Sequence, residues 1–261
     1  MSGPSSLTLA QAAEEVGVHY QTAYRWVRSG RLTATMVDGA YRVAREDLAA
    51  LQADRRRPVA PPTPTRVRLD RQREALHAAL LAGDEKKATG IVRLLATNGT
   101  SVVDLIDEVL APPMADIGAA WLRGEATIYV EHRATAIVHR LLGVIMPNPR
   151  GRRRGTAVVA GLSGDTHHLP TTMATAVLRE DNWAVEHLGA DMPLAEIDGF
   201  LRAHPAELVV LSATGNEAGE RAAEAKARLE AEHGIPVLVG GNGATAADLV
   251  ALARQARAGG A

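Results

Sequence analysis

Asp165-Thr166-His167, directly after the apolar run Thr156 to Leu162, sets a carboxylate two residues before an imidazole. At that spacing the aspartate can hold one ring nitrogen and fix the tautomer, the usual arrangement behind a metal-bound histidine. An imidazole with no second protein ligand suits a metal whose other positions are filled by a macrocycle. Upstream, Trp121 is followed ten residues later by Glu131-His132. Taken singly, each of these has a plainer reading as a bundle-core aromatic, a solvated glutamate or a satisfied histidine. Their value comes from spacing in company, because a helical bundle's own packing rarely asks for a Glu-His pair. Together they read as a helical lid and a ligand-bearing loop that could close over one large cofactor from opposite sides. His139, one heptad after His132, reads as structural.

The loop needs a scaffold, and the second half of the chain supplies a β/α alternation. Strands are expected at Thr156 to Leu162, Ala184 to Leu188, Leu208 to Ser212 and Val237 to Val239, with helices from about Thr171, Leu194 and Ala218 and a C-terminal helix over Ala244 to Arg257. That order predicts a doubly wound parallel sheet whose ligand crevice lies at the carboxyl ends of the strands. The loops Ser163 to His168, Ser212-Ala213-Thr214-Gly215-Asn216 and Gly240-Gly241-Asn242-Gly243 share that edge. Glycines there permit close backbone approach by a ligand. No dinucleotide fingerprint or phosphate-loop lysine follows the first strand, which argues against a dinucleotide or nucleoside triphosphate. No apolar run for a fifth strand follows Gly243.

The lid needs a bundle. Leu76, Leu80 and Leu81, then Ile91, Leu94 and Leu95, then Val102, Leu105, Ile106 and Val109, then Ile137, Val138, Leu141 and Leu142 recur at helical spacing. Short breaks at Gly83-Asp84, Asn98-Gly99 and Arg123-Gly124 predict four antiparallel helices. Pro112-Pro113 should kink or interrupt the third. Trp121 falls near a helix end and Glu131-His132 early in the next helix, so the turn at Gly124 can bring all three to one end of the bundle.

A different unit precedes both. Thr8 is a candidate cap for a helix over Leu9 to Val16, Gly17 breaks it, and a second helix runs Tyr20 to Arg28. Gly30 ends that helix, Asp38-Gly39 is a hairpin signal within Thr33 to Val43, and a closing helix spans Arg45 to Leu51. Helix-turn-helix plus wing is the expected form. Gln21, Thr22, Tyr24, Arg25 and Arg28 would face DNA from the second helix and Arg42 from the wing, while Trp26 and Val27 read as core. A small protein-interaction domain is the competing reading.

Composition agrees with a modular chain. With 261 residues and 46% apolar content, more than one core can form. Residues 1–73 carry 12 Lys+Arg against 7 Asp+Glu, about +5, although the whole chain is −1. The basic end is where phosphate contacts are expected. The absence of Cys excludes disulfides, Cys-ligated zinc and iron–sulfur clusters. No apolar signal segment or membrane-length run is evident, which makes a cytoplasmic protein the expectation. The expected domains are 1–54, a Pro/Arg-rich linker 55–72, a helical cap 73–149 and a sheet domain 150–261. Arg150-Gly151-Arg152-Arg153-Arg154 between the last two is either a solvated loop or an added nucleic-acid contact.

The residues also carry a resemblance. LTLAQAAEEVGVHYQTAYRWVRSGRL is similar to the winged helix-turn-helix of MerR-type regulators and excisionases. Asp165-x-His167, Ser212 and Gly240-Gly241 resemble the signature of cobalamin-binding domains, and the bundle with Trp121 and Glu131-His132 resembles the cap of CarH/LitR-type, cobalamin-dependent, light-responsive transcriptional regulators. The order of parts matches over nearly the whole chain. The resemblance implies a flavodoxin-like sheet domain and adenosylcobalamin as chromophore. It further implies His167 as the lower cobalt ligand, and an upper pocket of Trp121, Ile128, Glu131 and His132. Asp165, Ser212, Thr214, Gly240 and Gly241 would complete the cofactor site. In that family light breaks the cobalt–carbon bond, a cap histidine matching His132 can take the upper position, and a dark tetramer on a double-stranded DNA operator falls apart. A homo-oligomeric, non-enzymatic regulator, most simply a repressor, is therefore implied. Light-independent sensing of cobalamin or another tetrapyrrole, and a corrinoid methyl carrier of a methyltransferase, remain alternatives. The family pattern has glycine three residues after the histidine, where this chain has Pro170. Proline is acceptable at a first helical position, but it adds a ring and removes a donor where the cofactor's tail would approach.

Overall fold

The computed structural model describes residues 6–28, 32–37, 40–56, 69–214, 216–241 and 243–259. The chain divides into two compact units, residues 1–65 and 66–261. Among the described residues no helix is long and apolar enough to cross a membrane.

The first unit orders β1 (Ser6–Thr8), α1 (Leu9–Val16), α2 (Tyr20–Arg28), β2 (Thr35–Val37), β3 (Ala40–Ala44) and α3 (Arg45–Arg56). Thr8 caps α1 through a full capping box, in which Gln11 N–H donates to Thr8 Oγ1 and Thr8 N–H to Gln11 Oε1. Gly17, at φ +68°, stops the helix in the left-handed conformation that glycine adopts without steric cost. β2 and β3 pair antiparallel, Val37 opposite Ala40, as a wing requires. Asp38-Gly39 and Gly30 lie outside the described residues. β1, which the sequence does not reveal, adds a third strand against β3. The core gathers Leu7, Leu9, Ala12, Ala23, Leu32, Val43, Leu48 and Leu51, with Trp26 and Val27 packed on its margin. α3 continues to Arg56, past the expected end, because no proline intervenes before Pro58. The linker residues 57–68 lie outside the described residues.

In the second unit α4 (Leu69–Ala82), α5 (Glu85–Thr97), a third helical run and α8 (Ile128–Ile145) form the bundle. The third run is α6 (Val102–Asp104), a π turn (Leu105–Leu110) and α7 (Ala111–Leu122). Pro112 and Pro113 therefore neither end nor break it. They open the first turn of α7, and the wider π turn ahead of them, closed by Ala111 N–H to Ile106 O, absorbs the missing donors.

β4 (Thr156–Leu162), α9 (His168–Glu180), β5 (Ala184–Met192), α10 (Leu194–Ala203), β6 (Leu208–Ser212), α11 (Asn216–His233), β7 (Val237–Gly240) and α12 (Ala246–Gly259) follow. The sheet is parallel, in the order β5-β4-β6-β7, with four strands. The strand order reverses between β4 and β6, where the loops that follow them diverge and leave a crevice.

Bundle and sheet share one core. Leu169, Ala176 and Val177 of α9 are buried together with Leu80, Leu105, Ile117, Ile137 and Leu141 of the bundle, and Val250 of α12 packs on them. Two carboxylates reinforce the contact. Glu180 accepts from Val102 N–H (2.7 Å) and Val103 N–H (3.3 Å) at the start of α6, while Asp107 accepts from Ala246 N–H (2.7 Å) and Ala247 N–H (3.0 Å) at the start of α12. Each places a negative charge where the free N–H groups of a helix converge.

Candidate cofactor site at the carboxyl edge of the sheet

Asp165 and His167 stand on the loop between β4 and α9, at the strand-order reversal. Asp165 Oδ1 lies 2.7 Å from His167 Nδ1 and accepts His167 N–H at 3.1 Å; its Oδ2 accepts Thr214 N–H at 2.8 Å. One buried carboxylate thus ties the loop after β4 to the loop after β6. Burial alone would raise the pKa of Asp165, but the backbone and ring hydrogen bonds from His167, the Thr214 N–H and the nearby imidazole together hold it below the ordinary carboxylate value. With Asp165 Oδ1 on Nδ1, the ring of His167, whose side chain is 62% exposed, presents Nε2 outward. That is the orientation expected of a metal ligand.

The turn behind it is held from β5. Gly164, at φ +87°, donates to Asp191 Oδ1 (2.8 Å), and Asp191 N–H donates to Asp165 O (3.0 Å). His167 caps α9, which begins at His168 rather than near Thr171, so Pro170 occupies the third helical position. A first-turn N–H has no intrahelical partner, and proline costs nothing there.

Ser212 Oγ and Thr214 Oγ1 are buried without a hydrogen-bond partner among the described residues. Two orphaned hydroxyls on one loop are unusual in a folded core, where buried polar groups are nearly always paired. They are the polar partners a ligand tail entering the crevice would meet. Across from them Gly241, at φ +130°, lies so close to Ala213 that a β-carbon there would meet Ala213 O at 1.8 Å, whereas a β-carbon on Gly240 meets nothing within 4 Å. Gly215 and Asn242 lie outside the described residues.

At the cap, Trp121 ends α7, Ile128 opens α8, and Glu131 and His132 follow in the first turn and a half. Trp121 and Ile128 remain 42% and 51% exposed, large for apolar groups next to a full core. Glu131 accepts from Thr135 Oγ1 (2.8 Å), and its other oxygen is 3.6 Å from His132 Nε2. α8 packs on α9, and His139 lies one heptad from His132 on the same face. His187 of β5 is an exposed residue, yet burial against its ring, and then the charges of His139 and His168, push its pKa below the ordinary histidine value. The sequence pattern gives His139 only a structural role and passes over His168 and His187.

Two cavities lie apart from these residues. One of about 370 Å³ opens between α4 and α7 beside His77, Asp116 and Arg123; another of about 340 Å³ adjoins Ser163, Arg221 and Arg228. Neither is lined by His167 or Ser212.

On the first unit, Gln21 is exposed and Thr22 and Arg42 half-buried. Tyr24 stacks on Tyr20 at 6.4 Å and meets Tyr41 edge-on at 6.0 Å, so its ring braces the helix against the wing. Arg25 and Arg28 lie on α2, and their side chains are outside the described residues.

Sequence profiles of B12 binding domains match residues 72–146 and 155–259, and a helix-turn-helix profile matches residues 6–56. The HTH-type transcriptional repressor CarH of Myxococcus xanthus is 30% identical over 173 residues, 65% of this chain and 57% of the relative. The chain therefore combines a helix-turn-helix domain with two B12 binding domains. It spans little more than half the length of that relative. The monomethylamine corrinoid protein of Methanosarcina barkeri shares the fold, with a TM-score of 0.58 at 17% identity, over 71% of this chain and 98% of that one.

For a chain with B12 binding domains the orphaned hydroxyls carry a prediction. Ser212→Ala removes a buried group that nothing satisfies, so urea unfolding of the cofactor-free protein is expected to show stability unchanged within about 0.5 kcal/mol, or raised. Cobalamin affinity is expected to fall about fivefold, the worth of one ordinary hydrogen bond. A loss of stability with unchanged affinity would exclude the hydroxyl as a cofactor contact.

Proposed function

We propose that this chain is a DNA-binding repressor that uses adenosylcobalamin as a light-sensing chromophore and changes its assembly when illuminated. The observation that carries the reading is the Asp165-fixed imidazole of His167 beside two unsatisfied buried hydroxyls, in a chain that also bears a winged helix-turn-helix unit. When bound, the cofactor supplies a cobalt–carbon bond that light can break. His167 would hold the cobalt from below, with Asp165 fixing its tautomer. Ser212, Thr214, Gly240 and Gly241 would receive the nucleotide tail. Trp121 and Ile128, exposed and apolar, would cover the adenosyl group, and Glu131 would present to it the carboxylate oxygen that Thr135 does not hold. His132, exposed and only loosely paired with Glu131, would be available as an upper ligand after illumination. Gln21, Thr22, Tyr24, Arg25, Arg28 and Arg42 would contact the operator. The dark form would be a homo-oligomer, a dimer or tetramer.

The test is the absorption spectrum and size-exclusion profile of the protein with adenosylcobalamin in the dark, repeated after illumination. The expected result is retained cofactor with a light-driven change in both spectrum and size. Binding without any response to light would replace this reading with a light-independent cobalamin sensor. Failure to bind would dismiss cobalamin.

A further inference from the structure

The run Arg150 to Arg154 joins the bundle to the sheet, and a mere connector of that composition would be loosely held. It is not. Arg179 Nε donates to Pro147 O (2.7 Å) and an Arg179 terminal nitrogen to Asn148 Oδ1 (2.8 Å). Asn182 Oδ1 accepts from Arg150 N–H (3.0 Å), its Nδ2 donates to Arg152 O (2.7 Å), and its own carbonyl accepts from Arg154 N–H (3.0 Å). Asn182 reaches all three because it adopts φ +68°, a conformation asparagine tolerates better than most residues. The backbone of residues 147–154 is thus drawn into an arch over one asparagine.

The four arginines divide sharply. Arg154, though its side chain is 42% exposed, is paired: its Nε lies 2.6 Å from Asp181 O and 3.1 Å from Asp181 Oδ2, and that carboxylate also receives Arg254 at 2.6 Å. Its charge is neutralised. Arg150, Arg152 and Arg153 are exposed and make no ion pair among the described residues. Asp181, the carboxylate inside the arch, is taken by Arg154 and Arg254, and Glu207 accepts Thr156 N–H. Three uncompensated guanidinium groups are therefore displayed from a fixed backbone on the acidic part of the chain.

We propose that this arch is a second, sequence-independent DNA contact that grips backbone phosphates beside the site read by the helix-turn-helix unit. The inference rests on the DNA-binding function proposed above. Guanidinium groups match phosphate oxygens in charge and geometry, and a preordered loop loses little entropy on binding. The twelve residues between Arg56 and Leu69 span at most about 45 Å, so DNA held by the first unit stays near the second. Tethering of that kind raises the effective phosphate concentration at the arch without any new specificity.

The experiment is a salt titration of affinity for a 40-base-pair duplex of mixed sequence, using the full cobalamin-loaded chain in the dark. The variants are Arg152→Ala/Arg153→Ala, Arg152→Lys/Arg153→Lys and, as a control in the first unit, Arg25→Ala. Each phosphate that is no longer neutralised should lower the slope of log affinity against log salt by about 0.9, so the double alanine variant is expected to lose about 1.8 and the lysine variant to keep most of it. An unchanged slope in the double alanine variant, with Arg25→Ala still weakening binding, overturns the arch and leaves the DNA-binding function standing. A changed oligomer size with an unchanged slope also overturns it, assigning the arginines to a protein partner. No duplex binding by the unaltered chain overturns both.

Discussion

His167→Ala is expected to remove the imidazole-ligated absorption signature of bound cobalamin and to weaken its retention by more than tenfold, measured by spectral titration in the dark. Loss of a partner that merely orients a metal-bound histidine typically costs 10- to 100-fold, so loss of the ligand itself should cost no less. The expectation rests on how completely the histidine is prepared. Asp165 is buried, receives both the ring and the backbone N–H of His167, and is held in turn by Thr214 N–H. Asp165→Asn offers a graded comparison, because the amide keeps the shape but can bind Nδ1 in the wrong tautomer. It should fall between the unaltered protein and His167→Ala. An unchanged spectrum and affinity in His167→Ala would remove the residue from the cofactor site.

Gly241→Ala is expected to destabilise the cofactor-free protein by about 3–5 kcal/mol, the sum of a left-handed backbone imposed on a side chain and a collision that must be relieved. A β-carbon there lies 1.8 Å from Ala213 O, which is backbone. It cannot swing aside, since Ala213 N–H is bonded to Gly240 O at 2.8 Å and Gly241 O is taken by Ala244 N–H at 2.9 Å. For a domain of ordinary stability that is a large fraction of the total. Gly240→Ala is the control: with open space around its β-position, urea unfolding should change by about 1 kcal/mol or less, while cobalamin binding suffers if the tail enters there. Equal stability losses in the two variants would mean that the close packing of the two loops is not what demands glycine.

Much of the fold is legible in the residues where local chemistry decides the outcome. β4 and β6 fall on Thr156–Leu162 and Leu208–Ser212 as expected, because short apolar runs between breakers have little else to become. Thr8 and Gly17 bracket α1 because both act through their own backbone neighbours. The four-stranded sheet follows from the missing apolar run after Gly243. Boundaries that differ from expectation have long-range causes. The pattern ends β5 at Leu188, but the strand pairs on to Met192 through register shifts that Gly189 and Asp191, both at positive φ, make possible. Pro170 suggests a later start to α9 than its tolerated third position gives. β1 is three residues whose only reason to extend is β3, thirty-odd positions away. The Asp165-His167 pair is visible because its two members are neighbours in sequence. The influence of His139 and His168 on His187 is not, because the three stand on elements far apart in sequence.

Glu180 and Asp107 give the cap a fulcrum. Both hold the early part of the run Val102 to Leu122, and Trp121 stands at its far end, about 21 Å beyond Asp107 at 1.5 Å per helical residue. Held at those two points, the run is an arm that carries Trp121 at its end. A tilt of about 10° over that arm would carry Trp121 by nearly 4 Å.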